Sequence, residues 1–224
     1  RDVKAAEKAA AAESYVDIRG TDPLPQLTEP VISKVERDIP RLLYRYTHDK
    51  YTFTVEVTPM PTSVLSTLRA IDFNGKVLFH SDLPQDEYHG FVELTYDMLD
   101  RIEIKNVAIG ARGHRLCTKA VAYTMKSLLH FINGKKMFAY KGQVYIRSKH
   151  AKNAFNCYNR AFLTNGYKLK TKEGYKRFCN KNFDQEVGFT FNSYVNEKQR
   201  LLRLGKNVDH IAPLGPLDAR PLRF

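Results

Sequence analysis

Between Asn106 and Lys119 the chain reads NVAIGARGHRLCTK, a β-branched run that passes through a short Gly/Arg turn into residues of helical spacing. A strand feeding a helix in this way aims the free N–H groups of the first helical turn, with the positive end of the helix dipole, at whatever lies in front. The chemistry this suits is the holding of phosphate. The residues of this turn and of the helix start include Ile109, Arg112, Gly113, His114, Arg115, Leu116, Cys117 and Thr118. The same residues also read as a basic loop turning into a helix for geometry alone, or as a loop that holds an RNA phosphate.

A second cluster is the run KLKTKEGYKRFCNK, where Lys168, Lys170, Lys172, Lys176 and Arg177 interleave with Tyr175 and Phe178. Phosphate contacts and base stacking can be built from such a composition, and a solvated basic hairpin explains it equally well. Cys117, Cys157 and Cys179 are odd in number and lack C-x-x-C spacing, so they read as reduced thiols. The sequence places no histidine to make a nucleophilic pair with Cys117, which reads as inert. The seven histidines show no H-x-x-x-H, and no metal is expected.

These residues need elements to position them. Tyr51, Phe53, Val55 and Val57 alternate within Tyr44 to Thr58, which predicts a half-buried strand. Short helices are expected over Val31 to Leu43 and Thr62 to Ala70. Asn74-Gly75 between two apolar runs predicts a tight hairpin. Strands are expected over Gly90 to Tyr96 and Ile102 to Ile109, then an amphipathic helix over Leu116 to Phe131 stopped by Asn133-Gly134. Gln143 to Arg147 reads as a strand and Ala151 to Leu163 as a second amphipathic helix. Tyr167 to Leu169 and Gly188 to Tyr194 close the series as strands.

At the Gly/Arg turn the sequence resembles the GNAT superfamily of N-acetyltransferases, whose loop reads Arg/Gln-x-x-Gly-x-Gly/Ala after a strand and opens a long helix. Arg112 takes the first position, and Arg115 and Cys117 stand where the family has Gly and Gly/Ala. Downstream, Ala154-Phe155-Asn156-Cys157-Tyr158 preserves the Ala-to-Tyr spacing of the family's N-x-x-A-x-x-x-Y, with Ala151 in place of the Asn, and Gly166-Tyr167 resembles its Gly-Phe ending. The resemblance implies an α+β fold: a GNAT-like mixed, mostly antiparallel sheet flanked by helices. It implies acetyl-CoA as cofactor, bound by Ile109, Arg112, Gly113, His114, Arg115, Leu116, Cys117 and Thr118 with its pyrophosphate on the loop amides, and an amine as substrate. It gives Tyr158 the protonation of the departing thiolate. A base for the amine is expected on the loop-bearing strand or its neighbour, where Glu103 or Glu93 is the available carboxylate.

Lys and Arg number 36 against 24 Asp and Glu, a net charge of +12 over 224 residues, and that field favours polyanions. No run reaches the length of an apolar membrane span. Residues 1–30 read as a helical or flexible tail and Pro-rich linker, 31–195 as one domain, and 196–224 as a basic, Pro-rich extension. Two readings follow from these observations. One is an acetyltransferase. The other is a catalytically inactive relative that contacts RNA through its basic surface and C-terminal extension, as a component of a ribonucleoprotein such as a mitochondrial ribosome. The cysteine usage suggests a reduced intracellular compartment, and the N-terminal Arg1 is compatible with a removed mitochondrial leader.

Overall fold

Alternating apolar residues in the first half of the chain pair into hairpins, and the second half adds a parallel strand pair and two helices on one face of the sheet. The computed structural model describes residues 23–36, 38–81, 91–109, 115–146, 151–170, 186–194, 202 and 205–206. In chain order the elements are β1 (Val31–Val35), β2 (Arg41–His48), β3 (Tyr51–Pro59), β4 (Val64–Phe73), β5 (Lys76–His80), β6 (Val92–Tyr96) and β7 (Arg101–Val107). There follow α1 (Cys117–Gly134), β8 (Lys141–Ile146), α2 (Ala151–Thr164), β9 (Tyr167–Leu169) and β10 (Val187–Ser193). All ten strands join one sheet in the order β1-β2-β3-β4-β6-β7-β8-β10-β9, with β5 paired to β4 beside that path. The pairing of β7 with β8 is parallel and the other pairings are antiparallel.

Register defines two faces, because residues opposite each other in a sheet point to the same side. One row runs Leu42, Val57, Ser66, Leu94, Ile104, Val144, Phe189. Both helices cover this face. Tyr123 of α1 stacks on Tyr46 at 4.4 Å between ring centroids, and Ser66 Oγ donates to the Thr124 carbonyl at 2.8 Å. Phe155 of α2 packs on Phe189, and Phe162 stacks on Phe191 at 4.0 Å. Gly142 of β8 makes room for Phe162, since a Cβ at Gly142 would collide with that ring. The second face carries rows such as Thr95, Glu103, Gln143, Thr190, which are hydroxylic and charged. Antiparallel sheets commonly leave one face polar in this way.

The expected α+β balance, with helices flanking a GNAT-like sheet, is corrected. Strands dominate: the described residues form a ten-stranded mixed sheet and only two helices, and both helices lie on the same face. The helix expected over Val31 to Leu43 is instead β1 and the start of β2, and that over Thr62 to Ala70 falls in β4. The single strand expected from Tyr44 to Thr58 is a hairpin, turned at Asp49 with φ 53°. Cross-strand pairing of residues such as Ile32 with Tyr44 and Leu68 with Val55 wins over weak local helix signals. The Asn74-Gly75 turn forms as expected, with φ of 51° and 77°. Among the described residues, no helix is long and apolar enough to cross a membrane.

Candidate functional site

The parallel strands β7 and β8 stay in register only from Arg101 opposite Lys141 to Ile104 opposite Val144. Beyond that, β7 continues against β6, with Asn106 opposite Glu93 and Val107 opposite Val92. Tyr145 and Ile146 of β8 continue against Gly188 and Val187 of β10. The sheet therefore opens a gap at the carboxyl ends of these two strands. A helix that follows a parallel strand starts at the same edge, and the body of α1 lies over β3, β4 and β6. Crevices outside the carboxyl ends of parallel strands are where ligands of such sheets bind.

The start of α1 carries no side-chain cap. Its N-cap is Leu116, whose side chain makes no capping hydrogen bond, and the first turn holds no acidic residue. Arg115 has φ 51°, the left-handed conformation normally left to glycine, at a position where the resemblance calls for glycine. The turn thus keeps a glycine-like path with an arginine in it. Arg112, Gly113 and His114 lie outside the described residues. Ile109 is described and packs, partly buried, against the core.

A cleft of about 750 Å³ lies at this helix start. Arg115, Cys117, Thr118 and Lys119 form one side and Asn153, Asn156, Cys157 and Arg160 of α2 another, and His48 closes the end of β2. The last wall is Pro23 to Gln26, held down by Arg160 Nη2, which donates to the Pro23 carbonyl at 2.7 Å. Farther along, Thr28 N–H donates to Tyr123 Oη at 3.1 Å and Lys126 Nζ donates to the Thr28 carbonyl at 2.8 Å. The described lining carries three fixed cations and no carboxylate. A second cleft of about 760 Å³ sits at the other end of α1, between Tyr44, Pro59, His130 and Phe131. The carbonyl end of the helix dipole faces that one, whose lining carries Lys34, Arg41 and Lys135 beside Glu36, whereas the positive end faces the first.

His48, which sequence reasoning missed, lies 2.6 Å from Tyr123 Oη through Nδ1. Burial, then the positive charge of Lys119, lowers its pKa, so the imidazole is neutral at neutral pH. Lys119, Asn156 and Arg160 were missed as well, because only the packing of α2 beside α1 brings them to the same cleft. Cys117 and Cys157 were read as unpaired thiols, and that reading is corrected. They form a disulfide with a Cα–Cα distance of 5.9 Å, tying the first turn of α1 to α2 across a separation of 40 residues. No sequence spacing signals a bond of that span.

Tyr158, next to Cys157, packs partly buried against the core. Burial raises its phenol, which is therefore protonated at neutral pH. Glu103 points to the second face, between the buried Ile102 and Ile104, with Lys105 Nζ 2.8 Å from its carboxylate. The structure thus puts Tyr158 and Glu103 on opposite sides of the sheet. Glu93 shares the second face with Glu103. Lys168 lies within β9 and Lys170 follows it, and Lys168 Nζ lies 5.2 Å from the centre of the Tyr194 ring. Lys172, Tyr175, Lys176 and Arg177 lie outside the described residues, as does the extension from residue 207. No family model, curated protein or solved structure matches the chain.

Proposed function

We propose that this chain binds acetyl-CoA and acts as an N-acetyltransferase, with the diphosphate at the start of α1 and the thioester arm directed into the gap between β7 and β8. The observation that carries the reading is the coincidence of three features at one edge of the sheet. The parallel strands part beyond Ile104 and Val144, the helix that follows β7 starts without a side-chain cap, and the cleft at that helix start holds cations but no described carboxylate.

Bound acetyl-CoA supplies an acetyl group activated as a thioester. The amides of Cys117 and Thr118 are placed to donate to phosphate oxygens, and Arg115, Lys119 and Arg160 supply counter-charge in a partly desolvated setting. Tyr158 keeps its proton at neutral pH and can give it to a departing thiolate. Glu103, on the far face, takes the proton of an amine that approaches the gap from that side. The disulfide fixes the two walls of the cleft relative to each other, which lowers the ordering cost of binding.

Isothermal titration calorimetry with acetyl-CoA tests the binding. The expected result is saturable heat with a dissociation constant of about micromolar order. Lys119→Gln should weaken it about tenfold, as expected for the loss of a charge-assisted hydrogen bond. Absence of heat at millimolar ligand would overturn the reading. Tyr158→Phe separates chemistry from binding: affinity should hold while turnover of an amine acceptor falls about a hundredfold.

A further inference from the structure

The carboxyl half of β8 presents an exposed aromatic ring that acyl transfer does not use. Tyr145 lies on the second face and is 47% exposed. Its ring lies across Gly188, its partner on β10, where a Cβ would come within 2.8 Å of the ring's Cε1. At the tip, Gln143 Nε2 donates to Tyr145 Oη, while Gln143 Oε1 accepts from Arg101 Nη1 at 2.9 Å. The ring is held from beneath by a glycine and at its tip by a two-bond relay. Much of its surface stays in water, and its rotamer entropy is spent before any ligand arrives.

The surroundings say what such a ring suits. Arg101 and Lys141 share the second face with it, as do Lys105 across the gap and Lys168 on β9. The described acids nearby are Glu103, ion-paired with Lys105, Asp100, 3.2 Å from Lys141, and the exposed Glu186, two residues before Gly188. Between them stand Thr190 and Asn192. Here the cations outnumber the acids and stand among a hydroxyl and amides, a combination that accepts phosphates and one flat base.

We propose that this half of the second face binds single-stranded nucleic acid, with a base stacked on Tyr145 and flanking phosphates meeting Lys105, Lys141 and Lys168. A duplex hides its base faces, so it cannot use the ring, whereas any unpaired base can. The net charge of +12 draws the strand in, and the ring selects against the duplex. The inference does not rest on the acetyl-CoA reading, whose phosphate cleft is on the opposite side of the sheet.

Fluorescence anisotropy with labelled oligonucleotides of about twelve residues, a length within the usual site size, tests it. Ribo and deoxyribo strands should both bind the full chain, and the tighter of the two identifies the sugar. A duplex of equal length should bind at least about tenfold more weakly. Tyr145→Leu, which still covers Gly188, should weaken single-strand binding about tenfold with unchanged thermal unfolding, and Tyr145→Phe should retain most of it. Lys105→Gln and Lys141→Gln should each flatten the salt dependence. Lys119→Gln should leave oligonucleotide binding intact, so failure here and failure of acetyl-CoA binding remain separate results. The proposal is overturned if single strands do not bind, if Tyr145→Leu binds like the parent, or if the duplex binds as tightly. It is also overturned if Tyr145→Leu instead converts a larger species to a smaller one in sedimentation, which would assign the ring to a protein contact.

Discussion

The two faces of the sheet use the same local device to opposite ends. On the helix-covered face Phe162 lies over Gly142, and on the second face Tyr145 lies over Gly188. Phe162 is fully buried between α2, Phe191 and Tyr167, and Tyr145 is about half in water. A ring over a glycine therefore says nothing by itself about purpose. Burial decides whether it is core or an available surface.

The largest contrast should come from removing the rings. Phe162→Ala should cost about 4 kcal/mol in urea denaturation, through lost burial and the cavity left behind. Tyr145→Ala should cost less than about 1 kcal/mol, the range of a cross-strand pair. Equal losses would break the comparison. The second face is not uniform, however, since Arg41 Nη1 donates to Glu56 Oε1 at 2.9 Å and Arg69 Nε stands 4.0 Å from Oε2, all three residues being buried. Glu56→Ala should therefore cost about 3 kcal/mol although it lies on the polar side, because it removes the carboxylate that both guanidinium groups face. A cost like that of Tyr145→Ala would show that this charge cluster is superficial.

Adding a methyl sharpens the same contrast on a smaller scale. Gly142→Ala should lose about 2 kcal/mol by overpacking against a fixed ring. Gly188→Ala should lose less than half as much, because the half-exposed Tyr145 ring can swing aside.

Titration gives the smallest effects, again divided by face. Tyr44, raised to about 12, and Tyr46 and Tyr167, raised further, belong to the helix-covered side, and burial is the main cause for each. Their phenols ionise more readily once unfolded, so stability should hold below pH 10 and fall as pH rises past it. His48 acts in the opposite direction. Its lowered pKa means the unfolded chain takes the proton first, so stability should decline as pH falls below about 6.5, the ordinary imidazole value. His48→Gln should reduce that acid slope in pH-dependent thermal unfolding, modestly, because the ring is only partly desolvated.

The sequence was legible where periodicity is local. Leu116, Ala120, Tyr123 and Leu128 space a helix by themselves, and Asn74-Gly75 tolerates the positive φ its turn needs. It was illegible where the decision belongs to partners elsewhere. Val31, Val35 and Leu42 sit at spacings a helix could also use, and only pairing of β1 with β2 and of β2 with β3 makes them strands. The hairpin turn at Asp49-Lys50 carries no glycine and was hidden inside one alternating run. In the site, the helix start could be read from its strand and turn. The opposite wall, with Arg160, Asn156 and the Cys157 bond, could not, because those residues reach the cleft only through packing of α2 on α1.

The segment from Pro23 to Glu29 has a consequence for the order of assembly. Its anchors are remote: Pro23 is bound by Arg160, 137 residues away, and Thr28 by Tyr123 and Lys126, 95 and 98 residues away. During synthesis these residues emerge early, yet they have no seat until both helices exist. One wall of the cleft at the start of α1 is thus completed only after most of the chain has been made, and a protein interrupted before α2 would carry the helix start without its cover.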